Sequence, residues 1–379
     1  MSSSRRIVNV GVIGCGEVAQ TVHIPNLNHF NEYFKITYLC DVSRKALAHC
    51  QGKVAGSPPP RLTMKAEEVC SSPEVDVVFI IDSTEYHTPH AVLALQNDKI
   101  AFIEKPMVMN ERDARLILEA ESRSKGTIRW GKVMVGYMRR YATAFLDAVK
   151  ELGGFEEITY ARIRDIIGLN AFFVDQSGTF SKKFTDYSAE DSDELKARAQ
   201  DLVHQGLTQD LGIEVTKENE KMWALLGGLG SHDLSAMREA LGMPQHVLGC
   251  SLNAKRPCWV VLFQYPHFVC TYESYIHHVP RFDAHVEIYS KTKQVQVQYD
   301  TPYVKGLPVT LTIRENINGG YQEKIIRPTY EDPYTLEYKE LYALVTEAKP
   351  VKTTAQDAVQ DLKIFQMIMK AGKSQVNLK

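Results

Sequence analysis

An apolar run over residues 7–13 leads straight into Gly14-x-Gly16-x-x-Ala19. That spacing suits a phosphate. Gly14 permits a tight turn, Gly16 lets a pyrophosphate approach the backbone, and Ala19 is small enough for close packing of helix on strand. A helix starting here presents free N–H groups and partial positive charge, so Glu17 and Val18 also belong to the candidate loop. A second apolar run over residues 35–40 ends at Asp41, 22 residues beyond Ala19. A carboxylate at that place hydrogen-bonds ribose hydroxyls. Together these residues predict a dinucleotide site; alone, the glycine pattern would also fit an α/β turn that binds nothing. Asp41 favours NAD, because it accepts from a free 2′-hydroxyl and repels a 2′-phosphate. Arg44 keeps NADP open as the alternative, since a guanidinium pairs with phosphate. Its other reading is a solvated side chain on the next helix.

Two further groups follow buried strands. Residues 75–81 are continuously apolar, as in a strand covered on both faces, and end at Asp82-Ser83-Thr84-Glu85 before a helix over 87–97 that opens with His87. Residues 101–103 form a short strand ending at Glu104-Lys105-Pro106. Ligands of open α/β sheets bind outside the carboxyl ends of the strands, so Ser83, Thr84, His87, Glu104 and Lys105 are expected around the same crevice as the glycine loop. A lysine held there can orient a hydroxyl and stabilise a developing alkoxide. Pro106 fixes the chain direction, through a cis peptide if the turn requires one.

The elements that carry these residues alternate. Helices over 44–51 and 111–125 and a strand over 132–136 complete a doubly wound parallel sheet that closes near residue 137. Residues 1–137 are thus expected to form a Rossmann dinucleotide-binding domain, and 138–379 an α+β substrate and oligomerisation domain. In the second part, strand patterns recur over 259–265, 268–276, 284–290, 294–299 and 309–315. They predict an open mixed or antiparallel sheet covered by helices. Helices near 336–348 and 355–371 return to cover the first domain or the sheet. Residues 166–222 fit neither pattern and read as an insertion with an amphipathic helix at 193–204. It lies over a cleft, builds a subunit contact, or elaborates the surface without a catalytic role.

Bulk properties exclude several classes. The 379 residues carry a net charge of −2 with no basic stripe, so no nucleic-acid partner is expected. No apolar run is long enough to span a membrane. The polar residues Met1–Arg6 carry no apolar segment that would serve as a secretory signal. Seven cysteines without Cys-x-x-Cys spacing fit buried thiols in a reducing compartment, and the expected location is cytoplasmic. No metal set stands out. The pair His277-His278 falls in a strand, where neighbours point to opposite faces.

The chain resembles the glucose–fructose oxidoreductase, inositol dehydrogenase and MocA family. The residues that carry the resemblance are Gly14-Cys15-Gly16, Thr84 with His87, Glu104-Lys105-Pro106, Gly136-Tyr137-Met138-Arg139-Arg140-Tyr141, Gly230-Ser231-His232 with Leu241-Gly242, and Thr353-Thr354-Ala355-Gln356-Asp357-Ala358. The resemblance implies a Rossmann domain followed by an α+β domain, and NAD(P)-dependent hydride exchange on CH–OH groups of sugars, glycosides or cyclitols. It implies Lys105 as the active-site lysine and His232 as the acid–base, a role suited to imidazole because its ordinary pKa lies near neutrality. Both would touch substrate. A homodimer or homotetramer follows by the same analogy.

One departure stands out. Family members often carry an acid one helical turn before the histidine, where this chain has Gly228. Asp233 is adjacent but points roughly 100° away on a helix. Arg164, Asp165, Asn170 and Asp175 follow the first strand of the second domain and are candidates to enter the pocket in its place; the alternatives are a different or bulkier substrate, or lost activity. Two other functions stay open: a regulator that binds dinucleotide and senses a sugar, or an enzyme acting on an imine, dihydrodiol or aldehyde. For the latter, Phe172, Phe173, Phe180 and Phe184 would line an apolar pocket, although folding of the insertion would bury them anyway.

Overall fold

The computed structural model describes residues 5–124 and 131–376, with side chains through 372. Lys125, the expected end of one helix, and residues 1–4 lie outside the described residues. The chain forms two compact units. One holds Met1–Gly136, Val174–Gly206 and Glu337–Val359; the other holds Tyr137–Phe173, Leu207–Leu336 and Gln360–Lys379.

The first unit is built on β1 (Val8–Ile13), β2 (Phe34–Cys40), β3 (Arg61–Thr63), β4 (Val77–Ile80), β5 (Ile100–Glu104) and β6 (Val133–Gly136). All pair in parallel in the order β3-β2-β1-β4-β5-β6. The order reverses between β1 and β4, which makes that the switch point where a ligand crevice opens. Helices α1 (Ile24–His29), α2 (Arg44–Gln51), α3 (Ala66–Ser71), α4 (Thr84–Gln96) and α5 (Glu111–Arg123) connect the strands. Val8, Val10, Val12 and the whole of β4 are buried, which explains their unbroken apolar runs. The helix after β1 starts at Glu17 and widens to a π turn over Ala19–His23 before α1. Pro25, near the start of α1, has no N–H to continue the ladder, and the wide turn lies directly before it. Helix α4 begins at Thr84, three residues before the expected start, so Thr84 and His87 both sit in its first turns.

The chain continues through α6 (Thr143–Glu151), β7 (Ile158–Gly168), α7 (Asn170–Val174), α8 (Ala189–Val203), α9 (Lys217–Leu225) and α10 (Ser231–Leu241). Then come β8 (His246–Asn253), β9 (Cys258–Gln264), β10 (Val269–His277), β11 (Phe282–Ser290), β12 (Lys293–Tyr299), β13 (Thr310–Ile317) and β14 (Gly320–Ile326), followed by α11 (Pro333–Glu347) and α12 (Ala355–Val376). The second unit's sheet runs β14-β13-β12-β11-β7-β10-β9-β8. Only β7 and β10 pair in parallel; the other neighbours are antiparallel. Along β7, Ala161, Ile163, Asp165 and Ile167 are buried, while Arg162, Arg164 and Ile166 alternate with them on the more open face.

Several boundaries differ from the sequence reading. The break at Gly136 lies one residue from the expected one, but Val174–Gly206 and Glu337–Val359 fold into the first unit rather than the second. For the latter segment the cause is Tyr338. Its ring packs against Phe34, Phe79 and Phe102, and its hydroxyl sits 2.6 Å from His23 Nδ1. The Thr353 carbonyl also accepts from Val135 N of β6. Residues Ile166–Gly168, expected to open the insertion, complete β7 instead. Helix α8 starts at Ala189, four residues before the expected Asp193, because Ser188 and Asp191 form a reciprocal capping box. Its expected end at His204 falls in a π turn, His204–Gln209.

Among the described residues no helix is long and apolar enough to cross a membrane. All seven cysteines are free thiols, six of them buried. Of the insertion phenylalanines, Phe173 packs edge-on to Phe282 in the second unit; in the first, Phe184 packs on His49 and Phe180 is 81% exposed.

Candidate functional site

The glycine loop joins β1 to the first helix at the switch point. Gly14 has φ +103°, and a Cβ built on it would stand 2.6 Å from Asp82 N, so both the turn and its close approach to the end of β4 require glycine. Gly16 is exposed, and a Cβ there would meet nothing within 4 Å; its backbone is open to an approaching ligand. Ala19 is fully buried, and Glu17 and Val18 occupy the first helical turn, half-buried. Asp41 Oδ2 accepts from Cys15 N at 2.8 Å and Oδ1 from Ser43 N at 2.8 Å. One carboxylate thus ties the loop after β1 to the start of α2 and keeps lone pairs for ribose hydroxyls. Burial pushes its pKa up, the two N–H bonds pull it back, and Asp82 and Asp186 add to the rise. An exposed glycine cradle, a helix start and a braced carboxylate fit a dinucleotide.

Ser83 and Thr84 lie at the start of α4, exposed and half-buried respectively. His87 does not join them. It is 1% exposed, with Nδ1 2.9 Å from the Pro106 carbonyl and Nε2 3.4 Å from the Asp82 carbonyl. It therefore braces the two loops. Glu104 is likewise turned inward, because its carboxylate pairs with His23 Nε2 at 3.0 Å and accepts from Lys105 N at 3.0 Å. Burial would raise its pKa, yet the His23 bond and charge, with Lys105, hold it below the usual carboxylate range. The consequence falls on Lys105, half-buried at the carboxyl end of β5, whose backbone is clamped by Glu104 and followed by a cis bond to Pro106.

The segment Val174–Gly206 runs along this same edge. Gln20 pairs its side-chain amide with the backbone of Lys182, donating to the carbonyl at 3.0 Å and accepting the N–H at 2.8 Å. The Asp186 carboxylate accepts from Ser43 Oγ, and from Lys45 N at 3.1 Å. Phe184 packs on His49, and Lys53 Nζ donates to the Thr179 carbonyl. On α8, Arg198 lies 4.7 Å from the Tyr86 ring centroid, and Asp201 takes a two-pronged bond from Arg112. Gln20, Ser43, Tyr86 and Arg112 all stand in or beside the first turns of helices that follow β1, β2, β4 and β5. The insertion is a strap along the carboxyl edge of the parallel sheet. Nothing in its own sequence signals this, apart from the capping box Ser188-x-x-Asp191.

In the second unit His232 is half-buried in the first turn of α10. The preceding Leu226–Gly230 is a π turn, so one turn back from His232 falls on Gly227 or Gly228, and neither carries a carboxylate. A Cβ at Gly228 would meet nothing within 4 Å, so the place is open space. Asp165, expected at a substrate pocket, is fully buried. It shares Arg139 with Asp233: Arg139 Nη2 lies 3.3 Å from Asp165 Oδ2, and Nη1 donates to Asp233 Oδ1. Arg164 alternates to the other face of β7, where it pairs with Asp283 at 3.2 Å, away from the face carrying Asp165. Asn170 and Asp175 are exposed. Burial and the neighbouring Asp165 push the Asp233 carboxyl well up, against the pull of Arg139. Sequence reasoning quoted Arg139 only as part of a motif and missed this buried triad.

No group of His, Cys, Asp and Glu among the described residues could hold a metal ion. Residues 8–132 match the model of the oxidoreductase family with NAD-binding Rossmann fold. Inositol 2-dehydrogenase 3 of Saccharopolyspora erythraea is 32% identical over 145 residues, 38% of this chain and 40% of that protein. The chain thus spans about two-fifths of the length of the curated relatives it matches. Solved structures align along nearly the whole chain. Myo-inositol 2-dehydrogenase from Lactobacillus plantarum superposes with a TM-score of 0.69 at 15% identity, covering 98% of both chains. Levoglucosan dehydrogenase, solved with NADH and levoglucosan, gives 0.70 at 14% identity, also covering 98% of both. The chain has the fold of these proteins, and over residues 8–132 it matches the NAD-binding Rossmann part of the glucose–fructose oxidoreductase, inositol dehydrogenase and MocA family of oxidoreductases.

Proposed function

We propose that the protein is an NAD-dependent dehydrogenase acting on a secondary alcohol of a sugar, glycoside or cyclitol. The observation that carries this reading is the braced glycine cradle at the switch point, with Cys15 N held by Asp41 and Lys105 fixed at the carboxyl end of β5. The named activities of the inositol and levoglucosan dehydrogenases support the substrate class. Bound NAD would supply the hydride acceptor. Gly14–Ala19 would receive its pyrophosphate and Asp41 its adenosine ribose. Lys105 orients the substrate hydroxyl and offsets charge developing on its oxygen. His232 takes the hydroxyl proton in oxidation and returns it in reduction. Arg164 and Asp165, also expected at the substrate, pair with Asp283 and Arg139 and do not carry this reading. A cytoplasmic homodimer or homotetramer remains the expected setting.

Incubation with NAD and a panel of cyclitols, hexoses and glycosides should give NADH that depends on one of the added compounds. A second reading draws on Gly227 and Gly228, which leave the turn before His232 without an acid. Under it the protein binds dinucleotide and a sugar without turnover. Tight NADH binding with no turnover over the panel would favour that sensor.

A further inference from the structure

We propose that Asp186, from the strap Val174–Gly206, sets dinucleotide choice: its carboxylate holds the anion position at the start of α2, admitting a ribose with a free 2′-hydroxyl and excluding one with a 2′-phosphate. The inference rests on the dinucleotide reading above and deepens it.

The start of α2 has the parts of a 2′-phosphate site. Ser43 follows Asp41 by two residues and caps the helix, accepting from Ala46 N at 3.0 Å. Its hydroxyl hydrogen and the Lys45 N–H both point to one acceptor. Arg44 and Lys45 are exposed beside it, and a cation near the end of β2 is what accommodates a 2′-phosphate. On these residues alone the site would suit NADP about as well as NAD. The acceptor in place, however, is the chain's own. Asp186 Oδ1 takes the Ser43 hydroxyl and Oδ2 takes Lys45 N, so the donors a phosphate needs are already used. These bonds hold the Asp186 carboxyl below its ordinary pKa, so the charge is present at neutral pH. Asp41 lies close enough to feel that charge. A 2′-phosphate would therefore face two carboxylates and lose its donors. A ribose 2′-hydroxyl, which can donate to either, would not.

Asp186 is exposed and far in sequence from the glycine loop, so its removal leaves the core intact. The strap keeps its other anchors at Gln20, Tyr86 and Arg112. The test is the dissociation constant of NADH and of NADPH, by nicotinamide fluorescence, for wild type, Asp186→Ala and Asp186→Asn. Asparagine keeps an acceptor for Ser43 and Lys45 and removes only the charge. Wild type should bind NADH more tightly than NADPH. Asp186→Ala should tighten NADPH at least about tenfold with NADH changed by less than about threefold, and Asp186→Asn should shift in the same direction. Equal weakening of both cofactors in Asp186→Ala, with Asp186→Asn like wild type, would make Asp186 only a clip for the strap and overturn the assignment. Unchanged selectivity in both variants would overturn it too. Failure of wild type to bind either dinucleotide would instead remove the reading on which it rests.

Discussion

Arg139 donates to Asp233, the residue after His232, and its second prong lies 3.3 Å from Asp165 Oδ2. All three side chains are at most 5% exposed. The short helical turn Met138–Tyr141 thereby grips the helix that carries His232, and Arg140 adds a bond to Glu239 at 2.5 Å. Burial would lower the Arg139 pKa, but the two carboxylates outweigh it and hold the guanidinium charged.

Replacing Arg139 with Met should therefore be costly. It would leave two buried carboxylates around a missing cation, and breaking a buried pair from one side costs about 3–5 kcal/mol. Urea denaturation of Arg139→Met should show a loss of that order. A change below about 1 kcal/mol would mean the triad contributes little.

The same triad predicts a pH dependence. The Asp233 carboxyl is raised, first by burial and then by Asp165. A raised carboxyl binds its proton more tightly in the folded state. Its contribution is present in full below the unfolded pKa, about 4, and is lost as pH rises through the folded value. Asp233→Asn mimics the protonated form. Its stability relative to wild type should thus increase as pH rises from about 4 toward neutrality. Parallel urea midpoints for the two proteins across that range would contradict the assignment.

How much of this was legible beforehand depended on how each contact is encoded. Buried parallel strands such as Val77–Ile80 are unbroken apolar runs, and the glycine spacing with Asp41 marks the switch point. Lys105 at a strand end was readable for the same reason. The roles of Glu104 and His87 were not, because their partners, His23 and the Pro106 carbonyl, lie far away in sequence or on the backbone. Arg139 meets Asp233 across 94 positions and Asp165 across 26, and such pairings leave no periodic trace. The insertion's charged composition gave no direction for Asp186. Arg164 and Asp165 are adjacent in sequence, yet strand alternation sends them to opposite faces of β7.

Gly14 and Gly16 should separate folding from binding. Alanine at Gly14 meets both a positive φ and a 2.6 Å approach to Asp82 N, so Gly14→Ala should lose more than about 1 kcal/mol of stability. Gly16→Ala enters open space and should melt like wild type while binding NADH less tightly. Thermal melts and NADH titrations of both variants check this. Equal behaviour of the two would contradict the division of roles.

Glu104 offers a complementary check. Its carboxylate serves His23 and the Lys105 backbone. Glu104→Gln should lower stability by about 1.5–3 kcal/mol, the range for a hydrogen bond to a charged group. NADH affinity should stay within about twofold of wild type, an effect of less than about 0.5 kcal/mol. Loss of NADH binding without loss of stability would return Glu104 to the cofactor.

The most direct test of the account is the turnover of Lys105→Ala and His232→Ala, measured with NAD and whichever alcohol the wild type oxidises, beside NADH titrations of the same proteins. The account predicts turnover down by about 100-fold or more in each, with NADH affinity nearly unchanged. Wild-type turnover in both variants would contradict it.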